Sequence, residues 1–384
     1  QELYLDLTCF TDPDLIFTLP PWDTLPYEFV SPPENIERER ITAIYRMIRG
    51  LPSLIVTAVE SLVRKVPEKN YFTGRGVSLS VKEEYPFDDL VQMLADYGYT
   101  REHQVEAYGQ FSVKGGIIDV YLPSEENPVR LDFFGDTLES IREFSAESQI
   151  TLGRLESVTV YPRKEIVLLR RDRDKLAEIL SSASAKGMDF PEEVKHFISG
   201  KEHSMKGVED LFPLITKPAT LLDFIHPDAR IIMCEAPSLD TKKSSIEKNF
   251  DELYRRKKDA HLCLPPEELV DVSAFDSARS RAVSLQVFTS SSEALQWKLR
   301  SIPGFRGKVR QVREEIASRL DDGWKVVVTT GFEGQARRLY DLLGEFDPPA
   351  DFESFDPSGN FSILISPLRE GIELCGEKIL VLSD

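Results

Sequence analysis

Gln110-Phe111-Ser112-Val113, Ile117-Ile118-Asp119-Val120-Tyr121-Leu122, Val129-Arg130-Leu131-Asp132-Phe133-Phe134 and Thr137-Leu138-Glu139-Ser140-Ile141-Arg142-Glu143-Phe144 are short segments in which apolar and polar residues alternate. That period of two predicts strands with one buried face. Gly135-Asp136 supplies the turn that joins the last two into a hairpin. A helix is predicted ahead of them, from Phe87 to Tyr97. Residues 85–158 therefore read as a small domain of antiparallel strands and one helix.

The sequence on either side follows βα logic, so this domain reads as an insertion. Upstream, Ser53 to Thr57 predicts a strand, and Ala58 to Lys65 a helix with Val59, Leu62 and Val63 on one side. Asn35 to Arg49 predicts a longer helix, and Leu19-Pro20-Pro21-Trp22-Asp23-Thr24-Leu25-Pro26-Tyr27 is too rich in proline for anything but an ordered loop. Downstream, a charged helical stretch from Arg170 runs on to about Leu214. Strands are then predicted at Ala229 to Cys234, Ala282 to Phe288, Lys325 to Thr330, Phe361 to Ile365 and Ile379 to Leu382, with helices at Ser290 to Leu299 and Phe332 to Leu343. Short apolar strands alternating with amphipathic helices predict a mostly parallel sheet covered on both faces.

The 384 residues are enough for two or three domains at roughly 150 residues each. With 65 acidic and 47 basic side chains the net charge is −18, which opposes general coating of nucleic acid or phospholipid. No apolar stretch reaches the ~18 residues of a membrane-spanning helix. Cys9, Cys234, Cys263 and Cys375 have no chelating spacing, as expected in a reducing cytoplasm. The first residues already alternate, and Lys378 to Asp384 reads as a buried strand, so the chain reads as a fragment of a longer protein.

Phosphate chemistry is absent at the level of motif. There is no GxxxxGK[ST], and Lys114-Gly115-Gly116 precedes a strand rather than a helix. His103, His196, His203, His226 and His261 form no HExxH, and no serine lies in GxSxG. The basic clusters Arg163-Lys164, Arg170-Arg171-Asp172-Arg173 and Arg255-Arg256-Lys257-Lys258 read as solvated helix faces rather than a nucleic-acid patch.

From Tyr108 to Pro123, and on through Pro128 to Asp136 and Glu139 to Phe144, the chain resembles the UvrA-contacting domain shared by UvrB and the bacterial transcription-repair coupling factors. The loop Leu19 to Tyr27 with Ser31-Pro32, the run Gly334-Gln335-Ala336-Arg337-Arg338-Leu339 and the run Leu368-Arg369-Glu370-Gly371-Ile372 are similar to the coupling-factor branch. The resemblance spans nearly the whole chain and is weakest at about 165–215. It implies a degenerate RecA-like, P-loop-NTPase-like α/β domain with a parallel sheet, in two segments (1–84 and 159–384), holding an inserted α+β mixed-sheet domain (85–158).

The function it implies is recruitment of UvrA to stalled RNA polymerase in transcription-coupled nucleotide excision repair. The ATP-driven DNA translocase, with its ATP and Mg, would lie in a separate C-terminal half, and other domains would contact RNA polymerase and double-stranded DNA. The chain itself would be a monomer without cofactor, catalysis or membrane contact. The departures from UvrB are the missing P-loop and the strand Ile231-Ile232-Met233-Cys234-Glu235-Ala236, where Cys234 stands in place of a magnesium-binding aspartate beside Glu235. A neutral thiol is a poor ligand for that hard cation.

Strand alternation singles out one face independently. Val129, Leu131 and Phe133 point one way, and Arg130, Asp132 and Phe134 the other, a set too polar for a core and too aromatic for idle surface. Arg beside Phe is the composition of a binding hot spot; equally, Phe134 under a loop and Arg130 paired with Asp132 or Glu139 would explain the same residues. The resemblance places UvrA binding on Lys114, Arg130 and Phe134, with lysine where the family usually has arginine. Arg142 reads as a cross-strand ion pair. Residues 85–158 carry 14 acidic and 5 basic side chains, so Lys114 and Arg130 are two of few positive groups on an acidic domain. The alternatives are a UvrB-type ATPase that clamps damaged DNA, and a structural, autoinhibitory scaffold.

Overall fold

Thr100–Arg101 (β1), Gln110–Lys114 (β2), Ile117–Val120 (β3), Val129–Phe134 (β4), Thr137–Phe144 (β5) and Thr151–Leu155 (β6) form a single sheet in that spatial order. Neighbours are antiparallel except β1 and β2, so the sheet is mixed. Two-residue turns at Gly115-Gly116 and Gly135-Asp136 close hairpins, and Gly115 and Gly135 both take φ near +62°, where a side chain is strained. This is a computed structural model describing residues 2–123, 125–202, 205–259, 262–286, 298–305, 309–352 and 359–384.

The alternation predicted from the sequence sets the core. Ile118, Val120, Val129, Leu131 and Leu138 are fully buried on one face, beneath Leu90 and Leu94 of the helix Phe87–Asp96. Phe87 meets Phe133 edge-on, with ring centroids 5.4 Å apart. The chain enters and leaves this region through an antiparallel ribbon of Val77–Ser80 and Ser157–Val160, whose Leu79, Val158 and Val160 join the same core. Strands β1 and β6 are additions to the predicted set. Neither carries the alternation of a half-buried strand, and both lie at the sheet's edges.

Residues 17–287 form one compact unit that includes this sheet. The predicted helices appear as Glu34–Arg49 and Val59–Val63, and the predicted strand as Leu54–Thr57. The helical stretch from Arg170 is segmented into Arg170–Ala185, Glu192–Ile198 and 3-10 turns at Val208–Asp210 and Phe212–Leu214. Pro191 and the positive-φ glycines Gly187, Gly200 and Gly207 break it. Ile231–Cys234 pairs in parallel with Ala282–Leu285, and the 22-residue helix Ala236–Lys257 follows the first of them.

The proline-rich loop is ordered, as its composition requires. Trp22 and Tyr27 are buried, and buried ions hold them. Arg40 pairs with Glu165 and donates to the Pro20 carbonyl oxygen at 2.6 Å, while Trp22 Nε1 donates to Glu165 at 2.9 Å. Arg64 pairs with Asp210, which also accepts from the Tyr27 amide at 2.6 Å, and the Arg64 guanidinium lies 4.2 Å from the Trp22 ring centroid.

Residues 288–384 with 1–16 form a second unit. Its sheet runs in the order Leu299–Ile302, Gly371–Leu374, Ile379–Ser383, Lys325–Thr330, Phe361–Ile365. The three predicted strands are parallel, with Lys325–Thr330 between and paired to the other two, and the first two in the order are antiparallel additions. Helices Val309–Asp321 and Glu333–Leu342 pack on it through Ile316, Ala336 and Leu339. Most of the helix predicted at Ser290 to Leu299 lies outside the described residues, and Leu299 opens a strand. The architecture is α/β with several sheets; a single RecA-like sheet uniting the segments before and after the insertion is not among the described pairings.

Candidate protein-binding face

The sheet face opposite the core carries the residues singled out from the sequence. Phe134 ends β4 immediately before the Gly135 turn, and with no element above it the ring is 82% exposed. It therefore does not pack under a loop. Covering a phenylalanine contributes about 1.5–3 kcal/mol, so its exposure is a standing cost in the free protein and a gain on docking.

Arg130 sits four residues earlier on β4, on the same face. Its partner is neither Asp132 nor Glu139 but Asp119, directly opposite on β3. Arg130 Nε donates to Asp119 Oδ1 at 2.7 Å and Nη2 to Oδ2 at 2.9 Å, a two-pronged planar pair. The guanidinium also lies 4.7 Å from the ring centroid of buried Phe144. Hydrogen bonding to Asp119 raises the Arg130 pKa against the opposing effect of burial. Asp119 is itself buried, so the arginine is fixed from beneath while its outer edge stays open.

Lys114 ends β2 and pairs across the turn with Ile117. It is exposed and makes no ion pair among the described residues. Asp132 bonds Arg142 at 2.9 Å, which is the ion pair expected for that arginine, although Arg142 Nε is left buried without a partner. The structure thus puts Lys114, Arg130 and Phe134 on one face of the sheet, on β2 and β4 with β3 between them. Asp119 was missed as a member of this group. Pairing the predicted segments around residues 117–122 and 129–134 as antiparallel neighbours, with position 119 opposite 130, identifies it.

The Cys234–Glu235 pair lies elsewhere in the fold. Cys234 ends its strand with its side chain exposed, and Glu235 takes a left-handed conformation (φ 57°) ahead of the following helix. Among the described residues no cluster of three or more His, Cys, Asp or Glu side chains has metal-binding geometry. No described helix is long and apolar enough to cross a membrane. Of the basic clusters read as solvated helix faces, Lys257 at the end of its helix pairs with Glu28 at 2.5 Å, whereas Arg163 corrects the reading: it lies in a loop, is buried, and pairs with Glu34 at 2.9 Å.

Comparison with known proteins bears on the same region. Residues 77–166 match the sequence profile of the UvrB interaction domain. Over 97% of its length the chain is 25% identical to the transcription-repair-coupling factor of Mycobacterium tuberculosis, covering 33% of that protein. It is 24% identical to the Bacillus subtilis coupling factor, with all of this chain and 35% of the relative aligned. A 66% portion is 31% identical to 22% of the Myxococcus xanthus coupling factor. The chain spans about a third of the length of the curated relatives it matches. With its mixed sheet, its closing ribbon and its exposed Phe134 all inside the matched segment, the chain carries a UvrB interaction domain within a stretch homologous to transcription-repair-coupling factors.

Proposed function

We propose that this chain is a non-catalytic recruitment module that presents the outer face of its mixed sheet to UvrA, linking a stalled RNA polymerase to nucleotide excision repair. The observation that carries this reading is the exposed Phe134 ring on the same sheet face as an arginine already locked in place by a buried carboxylate. Phe134 supplies the apolar anchor. Arg130 has five N–H donors, and its bond to Asp119 leaves the outer ones for a carboxylate on UvrA. Lys114 adds a second positive charge without a planar fork. Because Arg130 is held before docking, little side-chain entropy is lost on binding.

In this reading the ATP-driven translocase, its ATP and Mg, and the contacts with RNA polymerase and double-stranded DNA belong to parts of the longer protein beyond this chain. Cys234 and Glu235 support that division: one thiol and one carboxylate on a strand end are a donor set ill-suited to magnesium. Titration of UvrA with the full chain tests the reading. Saturable binding that Phe134→Ala removes supports it, and undiminished binding by that variant contradicts the proposed face. Nucleotide-dependent clamping of damaged DNA by the chain would favour the UvrB-type alternative.

A further inference from the structure

The strand register assembles a feature that no single strand shows. Asp119, Arg130, Arg142 and Arg154 stand directly opposite one another on β3, β4, β5 and β6, and so share the outer face. Strands are spaced by ~4.8 Å, so three arginines fall within a row roughly 10 Å long. Like charges opposite one another destabilise a sheet, and here Asp119 and Asp132 relieve the first two arginines. Arg154 has no such relief: it is exposed and makes no ion pair among the described residues. Lys114 lies in the adjacent row with Ile117, Asp132 and Ser140.

Four of the five basic side chains in residues 85–158 therefore gather on one face of a region that carries 14 acidic ones. The fifth, Arg101, is aligned with core-facing Phe111 at the far edge of the sheet. Beside Arg154, exposed Leu152 and Ile150 extend the apolar surface along the β6 edge. We propose that Arg154 is a specificity-determining contact, and that the face meets a carboxylate-bearing strip on UvrA that reaches from Phe134 to β6. The inference rests on the function proposed above and extends its site beyond Lys114, Arg130 and Phe134.

The test is UvrA binding by the full chain, with kinetics at two salt concentrations, for wild type, Arg154→Glu, Arg154→Lys, Arg101→Glu and Phe134→Ala. Arg154→Glu is expected to bind about tenfold more weakly, mainly through slower association, with a shallower salt dependence. Arg154→Lys should keep most of the affinity, and Arg101→Glu, with the same change in net charge, should stay within about twofold of wild type. If Arg154→Glu matches Arg101→Glu while Phe134→Ala loses binding, the inference is overturned and the recruitment reading stands. If wild type itself does not bind, both fall. An arginine that only guards the sheet edge against self-pairing would make Arg154→Glu aggregate while its monomer bound normally, and that result also overturns the inference.

Discussion

Asp119 and Arg130 face each other across β3 and β4, joined by hydrogen bonds of 2.7 and 2.9 Å with the carboxylate buried beneath the arginine. The arginine that the binding face needs is thus also the counter-ion that the sheet needs. Arg130→Ala would leave a buried carboxylate without a partner, a loss of about 1–3 kcal/mol in stability. In Asp119→Ala, Arg130 would stand opposite Arg142 without its relief. A double-mutant cycle read by denaturant unfolding should show the double variant less destabilised than the sum of the singles. Strict additivity would mean that the pair contributes nothing.

Phe134 separates binding from folding in a way that Arg130 does not. Its exposed ring supports nothing in the free chain, so Phe134→Ala should shift stability by no more than about 0.5 kcal/mol while weakening UvrA binding by 2 kcal/mol or more, about thirtyfold. A marked fall in unfolding midpoint for this variant would place the ring in the fold rather than in the interface.

The buried pair of Arg40 and Glu165 anchors the proline-rich loop, and both members are almost wholly inaccessible. Glu165→Ala removes an acceptor from Trp22 and the counter-ion from Arg40 together. The expected loss is about 3–5 kcal/mol, measured by denaturant unfolding. Proteolysis near Trp22 should become faster, because the loop loses its tether. A loss below 1 kcal/mol would show that the loop is held by packing alone.

Much of this was legible in the sequence, and what was not has physical causes. Alternation placed Val129, Leu131 and Phe133 in the core and put Arg130 and Phe134 outside, because a half-buried strand leaves that pattern. It was silent on Thr100–Arg101 and Thr151–Leu155, since these edge strands bury no residue fully and so carry no alternation of buried apolar positions. Helix Ala236–Lys257 escaped because its long polar surface dilutes the few anchors, Ile246 and Phe250 among them. The partner of Arg130 was not legible because Asp119 is 11 residues away on another strand and meets it only through the β3–β4 register, which the alternation within one strand does not specify.

Stability should also depend on pH through Glu209. Burial pushes its carboxyl up to about 7, with Glu37 adding to the rise and Ser31, which donates to it at 3.1 Å, opposing it. A carboxyl with a raised folded-state pKa contributes fully below its unfolded value of about 4.3 and loses that contribution as pH rises toward 7. The chain should therefore weaken between about pH 4.5 and 7, by up to roughly 3 kcal/mol from this group. Glu209→Gln should flatten that part of the profile. An identical slope in wild type and variant would remove Glu209 as the cause.

The most direct measurement is calorimetric titration of UvrA with the full chain, in wild-type and Phe134→Ala forms that unfold at the same midpoint. Saturable binding by the wild type and its loss in the variant is the predicted result. Equal binding by both forms, or by neither, would contradict the assignment of this face to UvrA.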